Sequence, residues 1–255
     1  MNIATSPAAL AGVSEEEWKT RCELAALYRL VAHFGWTDLV YTHLSARVPG
    51  PEDHFLINQY GVLFHEMRAS DLVKVDLDGT IVDQDASGSR AINQAGYTIH
   101  SAIHMARPDL TCVIHTHTPA GIAVSCQKNG LLSITQHSMR FHDHIAYHDY
   151  EGIALDLEER ARLTADLGPH KAMILRNHGL LACGASIPEA FLRIYFMERS
   201  CQAQIQALTT GAELVYPSEE VCQYTAQQTQ ANRTVATAWN SALTLIEHTK
   251  PDYRT

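Results

Sequence analysis

Thr111-Cys112-Val113-Ile114-His115-Thr116-His117-Thr118-Pro119 is the stretch on which the reading of this chain turns. Residues 111–114 form a short apolar and β-branched run without alternation, as in a strand buried on both faces. Thr118-Pro119 then opens a short helix, with proline at an early position where its missing N–H costs nothing. In an extended chain residues i and i+2 point the same way, so His115 and His117 can reach one common point. The pattern alone is weak. The chain holds 15 histidines and a second such pair, His142-Asp143-His144, so metal ligation and chance both stay open.

A second apolar run lies further along, Ala172-Met173-Ile174-Leu175. It enters Asn177-His178-Gly179 and returns through Leu180-Leu181-Ala182, with Gly179 permitting an unusual backbone. If the two strand ends are neighbours in one sheet, His178 joins His115 and His117. Three neutral imidazoles would then leave coordination positions open, which is the catalytic metal arrangement and not the closed structural one. The competing reading is a plain hairpin turn.

The other elements imply layers. Ser14-Glu15-Glu16-Glu17 reads as a capping box before a helix carrying Leu24, Leu27, Val31 and Phe34 on one stripe and ending at Gly35. Short strands follow over 44–48, 55–57 and 72–75, with Asp78-Gly79 as a tight hairpin turn and a polar loop over 84–90. A helix is expected over 95–106, a strand over 131–134 and a helix over 157–167. Ser186-Ile187-Pro188-Glu189 is a second capping box, before a long helix to about 208; a polar helix lies beyond Pro217. Helices before, between and after short strands predict a layered α/β domain with a mixed sheet. The divisions are a flexible leader over 1–13, the main domain over 14–215 and a helical extension of it over 216–255.

Composition removes whole classes of function. The net charge is −9 and no basic run occurs, which argues against nucleic acid as a partner. No basic segment followed by an apolar stretch marks a secretory leader, and no apolar run has membrane-spanning length. The six cysteines are scattered without a C-x-x-C pair, as expected of buried thiols in the reducing cytoplasm. No phosphate-cradling glycine loop or G-x-S-x-G elbow is present. His100 and His104 are four apart on an expected helix; the ordinary reading is one core and one surface histidine, the other a shared metal. His137, His142, His144 and His148 crowd a segment with Arg140 and Asp143, either a solvated loop or one facing substrate or another subunit.

Several ordered motifs resemble the class II aldolase/adducin family. They are Asn93-Gln94-Ala95-Gly96-Tyr97-Thr98-Ile99-His100-Ser101-Ala102-Ile103, Ala106-Arg107-Pro108-Asp109, the 113–121 run around the paired histidines, the 146–153 run, and Leu175-Arg176-Asn177-His178-Gly179-Leu180. The similarity covers roughly residues 15–212 and is nearer to the adducin head and its bacterial relatives than to sugar-phosphate aldolases. It implies a three-layer α/β/α sandwich around a mixed, largely antiparallel sheet, assembled as a homotetramer with sites between subunits. It also implies one divalent metal per subunit, commonly Zn2+ with Fe2+, Mn2+ or Co2+ as alternatives, on His115, His117 and His178. In the aldolases that metal polarises substrate oxygens and stabilises the enediolate left by carbon–carbon cleavage.

Two departures change the expected substrate. The position of the glutamate acid/base of fuculose- and rhamnulose-phosphate aldolases is Gly96 here. The phosphate pocket falls near His43, Tyr60-Gly61 and Gln94-Ala95, whose side chains are too large or of the wrong kind to cradle a phosphate. The expectation is therefore a metal-dependent carbon–carbon lyase, retro-aldol or decarboxylating, acting on a non-phosphorylated oxo-acid or aromatic carboxylate. His43, Tyr60, Gln94 and His137 are the candidates for substrate contact or proton transfer. The alternatives are an adducin-like interaction protein without catalysis and, with iron, an oxygenase.

Overall fold

The computed structural model describes residues 12–50, 53–83, 88–230, 234–248 and 251–255. Helix α1 (Glu15–His33) starts where the Ser14 side chain accepts the Glu17 N–H. The reciprocal half of that capping box is absent, because the Glu17 carboxylate bonds Arg21 and Lys74 at 2.9 Å each. Most of the expected leader, and residues 84–87 of the polar loop, lie outside the described residues.

Seven strands follow: β1 (His43–Arg47), β2 (Phe55–Asn58), β3 (Leu72–Val75), β4 (Cys112–Thr116), β5 (Ala146–His148), β6 (Ala172–Leu175) and β7 (Gly179–Gly184). They form one sheet in the order β3-β2-β1-β4-β7-β6-β5. Every pairing is antiparallel except β5 with β6, so the sheet is mixed and largely antiparallel, as expected. The Asp78-Gly79 turn closes on one isolated bridge, Val75 to Ile81, and not on a full hairpin.

The remaining helices are α2 (Gln94–Ala106), α3 (Pro119–Ser125), α4 (Glu159–Leu167), α5 (Ile187–Thr209), α6 (Glu219–Gln230) and α7 (Val235–Glu247). Alternation along the strands sends side chains to two cores. Leu44, Ala46, Cys112, Ile114, Ile174 and Ala182 meet α1, α5 and α7 on one face. Val113, Met173, Leu181 and Cys183 meet Ile99 and Ile103 of α2 and Leu163 and Leu167 of α4 on the other. The result is a three-layer α/β/α sandwich. Among the described residues, no helix is long and apolar enough to cross a membrane.

One expected strand does not form. Residues 131–134 are irregular, because two of their backbone donors are taken by side chains and a third, the Ile134 N–H, turns back to the Leu132 carbonyl. The Leu131 N–H donates to the Tyr147 hydroxyl at 3.1 Å and the Leu132 N–H to Gln204 Oε1 at 2.7 Å. An apolar run reads as a strand only when a ladder partner is free to take those groups.

Candidate metal centre

β4 lies between β1 and β7, and its C-terminal end carries His115 and then His117. β6 and β7 form a tight hairpin, so the turn between them returns His178 to the same end of the sheet. The left-handed residue of that turn is Asn177, at φ 55, a conformation asparagine tolerates. Gly179 serves a different need from the one expected. A Cβ there would lie 2.3 Å from the Thr116 carbonyl oxygen, so glycine allows β7 to begin tight against the end of β4.

The three Nε2 atoms converge. His115 and His117 are 2.8 Å apart, His117 and His178 2.8 Å, and His115 and His178 3.2 Å. Outer partners orient two of the rings. His115 Nδ1 lies 3.0 Å from the Leu180 carbonyl and His117 Nδ1 lies 3.0 Å from Asp38 Oδ2. A carbonyl and a carboxylate accept, so each Nδ1 carries the proton and each Nε2 turns a bare lone pair inward. Burial, then the neighbouring imidazoles, holds His115 well below the ordinary histidine range; burial likewise brings His178 down to about 4.

Bare lone pairs crowded this closely repel unless a cation lies among them. Tetrahedral metal–imidazole bonds of about 2.0–2.1 Å would set the nitrogens roughly 3.3 Å apart, an opening of a few tenths of an ångström. The donor set therefore fits a divalent metal. His115 is fully buried while His117 and His178 are partly exposed, so the centre is walled on the protein side and open on the other. The exposed Tyr150 stands edge-on to His178, with ring centroids 6.3 Å apart.

Two supporting residues escape sequence reading. Asp38 comes from the loop between α1 and β1. Glu198 of α5 is fully buried and accepts from Thr116 Oγ1 at 2.7 Å and Thr118 Oγ1 at 2.6 Å, clamping the backbone on both sides of His117. Its signal was a carboxylate within the apolar stripe of α5, between Ile194 and Cys201. No local signal marks Asp38.

The expected substrate residues separate. His43 is buried beside the centre, paired in register with His115, with ring centroids 5.2 Å apart. Its imidazole fills the space a side chain at residue 96 would need: a Cβ on Gly96 would meet His43 Cδ2 at 2.6 Å and Nε2 at 3.0 Å. Gln94 is exposed at the start of α2, and the half-exposed Tyr60 is tied to that segment by its N–H to the Ala91 carbonyl, 2.8 Å. His137 is exposed, and its ring stands edge-on to Phe196 at 4.9 Å and not against the three imidazoles. His100 and His104 are both buried, against the expectation of one core and one surface residue.

Residues 22–205 match the family model described as Class II Aldolase and Adducin N-terminal domain. A Caulobacter vibrioides protein assigned to the class 2 aldolases is 54% identical over 211 residues, covering 83% of this chain and 81% of its own. Mouse alpha-adducin is 49% identical over 192 residues, which are 75% of this chain but 26% of the adducin. The crystal structure of an aldolase II superfamily protein from Pseudomonas syringae superposes with a TM-score of 0.91 at 56% identity, covering 95% of this chain and 98% of that one. L-fuculose 1-phosphate aldolase from Glaciozyma antarctica gives 0.83 at 31% identity, covering 98% and 97%.

Proposed function

Because this chain belongs to the class II aldolase and adducin family, we propose that it is a metal-dependent carbon–carbon lyase for a non-phosphorylated oxo-acid or aromatic carboxylate. One observation carries the reading: three Nε2 atoms within 3.2 Å of one another at a partly open strand end, two of them with Nδ1 committed elsewhere. His115, His117 and His178 would hold one divalent cation, Zn2+ in the first instance. When bound, it would polarise substrate oxygens and stabilise the charge that develops as the carbon–carbon bond breaks.

The chain's own residues supply orientation and proton transfer. A carboxylate at residue 96 is replaced by His43, whose Cδ2–Nε2 edge occupies that space; we assign His43 the proton transfer. Burial and the adjacent His100 keep it well below the ordinary histidine range, so it works as a neutral ring. We assign Tyr60 and Gln94 substrate contact; both are exposed, and Tyr60 is joined by its N–H to the segment that leads into α2. His137 reaches a site only if another subunit of a homotetramer receives it, since within its own chain it rests on Phe196. The free cysteines suit a cytoplasmic enzyme. Residues 216–255 belong with the main domain in this reading, because α7 seats Trp239 and Leu243 in its core.

The second reading is an interaction protein, favoured by the 49% identity to alpha-adducin. Metal content separates the two. The purified protein is expected to hold about one Zn, Fe, Mn or Co per subunit, and His178→Ala to hold close to none. It is also expected to release aldehyde or carbon dioxide from a member of a keto-acid and aromatic-carboxylate panel, with and without oxygen. A protein that takes up no metal even on reconstitution belongs to the second reading.

A further inference from the structure

Behind His43, on the α2 side of the sheet, lies a chain of buried polar groups that the lyase reading does not use. His43 Nδ1 is 2.9 Å from His100 Nε2, His100 Nδ1 is 2.5 Å from Ser45 Oγ, and Ser45 Oγ is 2.8 Å from His104 Nε2. All four residues are at most 2% exposed. We propose that Ser45, His100 and His104 are positioning residues that act as one unit to fix which nitrogen of His43 carries its proton.

The argument is a count of protons. Each ring is neutral, because all three are buried and none has a carboxylate among its partners, so a charge there would be desolvated and unpaired; burial in the same way holds His100 well below the ordinary range and, with Arg47 nearby, brings His104 down to about 3. A neutral imidazole has one donor and one acceptor, and a hydroxyl has one proton to give. Ser45 Oγ has no other acceptor in range among the described residues. If it accepted from both histidines, its own proton would be buried without a partner, at a cost of roughly 1–3 kcal/mol. The hydroxyl therefore accepts from one histidine and donates to the other, and all links run in one sense. Run inward, His43, His100 and His104 would all be protonated on Nδ1, and the proton on His104 Nδ1, which has no partner among the described residues, would be buried alone in its turn; run outward, all three are protonated on Nε2 and no proton is left unpaired. The three rings share one tautomer.

His43 Nδ1 is consumed by this chain, so the nitrogen left is Nε2, on the edge that faces Gly96. The array gives that nitrogen a single protonation form and holds the ring where a carboxylate at residue 96 would otherwise stand. A mixture of forms at that atom would leave part of the enzyme with the wrong partner for a proton. The value of the array to catalysis rests on the lyase reading; the array itself does not.

The test is nitrogen-15 NMR of protein labelled at its histidine rings, studied as purified, with His43→Gln, His100→Gln and His104→Gln used one at a time to locate the resonances. The three rings are expected to show the same tautomer. Ser45→Ala, which cuts the link between His100 and His104, is expected to end the agreement of His104 with the other two rings, and Ser45→Thr, which keeps the hydroxyl, to restore it, with metal content unchanged in both. Differing tautomers in the unsubstituted protein overturn the proposal, as does an agreement of His104 with His100 that survives Ser45→Ala. If Ser45→Ala fails to fold, the pattern in the unsubstituted protein decides alone. Shared tautomers in a protein that binds no metal would leave the array standing and remove the lyase reading; bound metal with differing tautomers would do the reverse.

Discussion

The chain uses His-x-His twice, and the two copies do different things. His115 and His117 end an internal strand between two partners, and their Nδ1 atoms are anchored so that both Nε2 atoms point to one place. His142 and His144 lie between a short 3-10 turn (Ser138–Phe141) and the edge strand β5. Asp143 between them is at φ 57, which takes that pair out of the extended geometry that would align the rings. Both His142 nitrogens are occupied, Nδ1 by Ser133 at 3.0 Å and Nε2 by Glu219 at 2.8 Å. His144 faces a separate cavity of about 430 Å3 with Arg140 and His170. His142, Asp143 and Glu219 could still gather round a cation, but their carboxylates are open to water. The spacing of two histidines says little; what decides is whether each ring's second nitrogen is pinned outward.

The sharpest way to break this contrast is metal uptake. His115→Gln is expected to lose more than about 100-fold in affinity for zinc, since it removes one of three ligands. His142→Gln should leave the tight metal unchanged by mass analysis; equal losses would erase the distinction.

Acid separates the two populations of histidine next. His100 and His104 are depressed by burial, so the unfolded chain binds protons that the folded one does not. Stability is complete above the unfolded value of about 6.5 and is lost as pH falls below it, by about 2 kcal/mol for each of the two at pH 5. His43, His115 and His178 act in the same direction, so the share of this pair is the part of the change in denaturant midpoint between pH 7 and pH 5, in chelated protein, that His100→Gln and His104→Gln remove. A flat profile would mean that these rings are already charged or lie open to water.

Removing the carboxylate behind His117 tests the pinning itself. Asp38→Asn keeps the shape but gives up the charge, and is expected to weaken zinc binding 10–100-fold with little change in melting temperature. Competition against a chromogenic chelator reads this; an affinity within twofold of the parent would make Asp38 a bystander.

The smallest effect belongs to the second pair. His142→Ala removes a bridge between Ser133 and the exposed Glu219 and should cost less than about 1 kcal/mol in urea unfolding.

The sheet was readable wherever a strand is apolar on both faces, as β4 and β6 are, because burial and composition then coincide. It was misread at 131–134, where the backbone is satisfied by Tyr147 and Gln204 from later in the chain. The three converging imidazoles were readable as separate strand ends, and the family motifs joined them. Asp38 was not, because a carboxylate 79 residues before its histidine leaves no periodic trace. Nor was the inward turn of both His100 and His104: a period of 3.6 puts them on one face but does not say that Ser45 of β1 bonds both rings.

The turn that carries His178 is too short to bend independently of its strands. Its neighbour Gly179 already touches the end of β4, and Leu175 pairs with Gly179 across the hairpin. The third nitrogen thus has no slack of its own, and its reach is dictated by the ladder. Redesigning this centre for a different ion is accordingly a matter of exchanging side chains in place, because an inserted residue would carry the ring away from its two companions before any ion could choose between them.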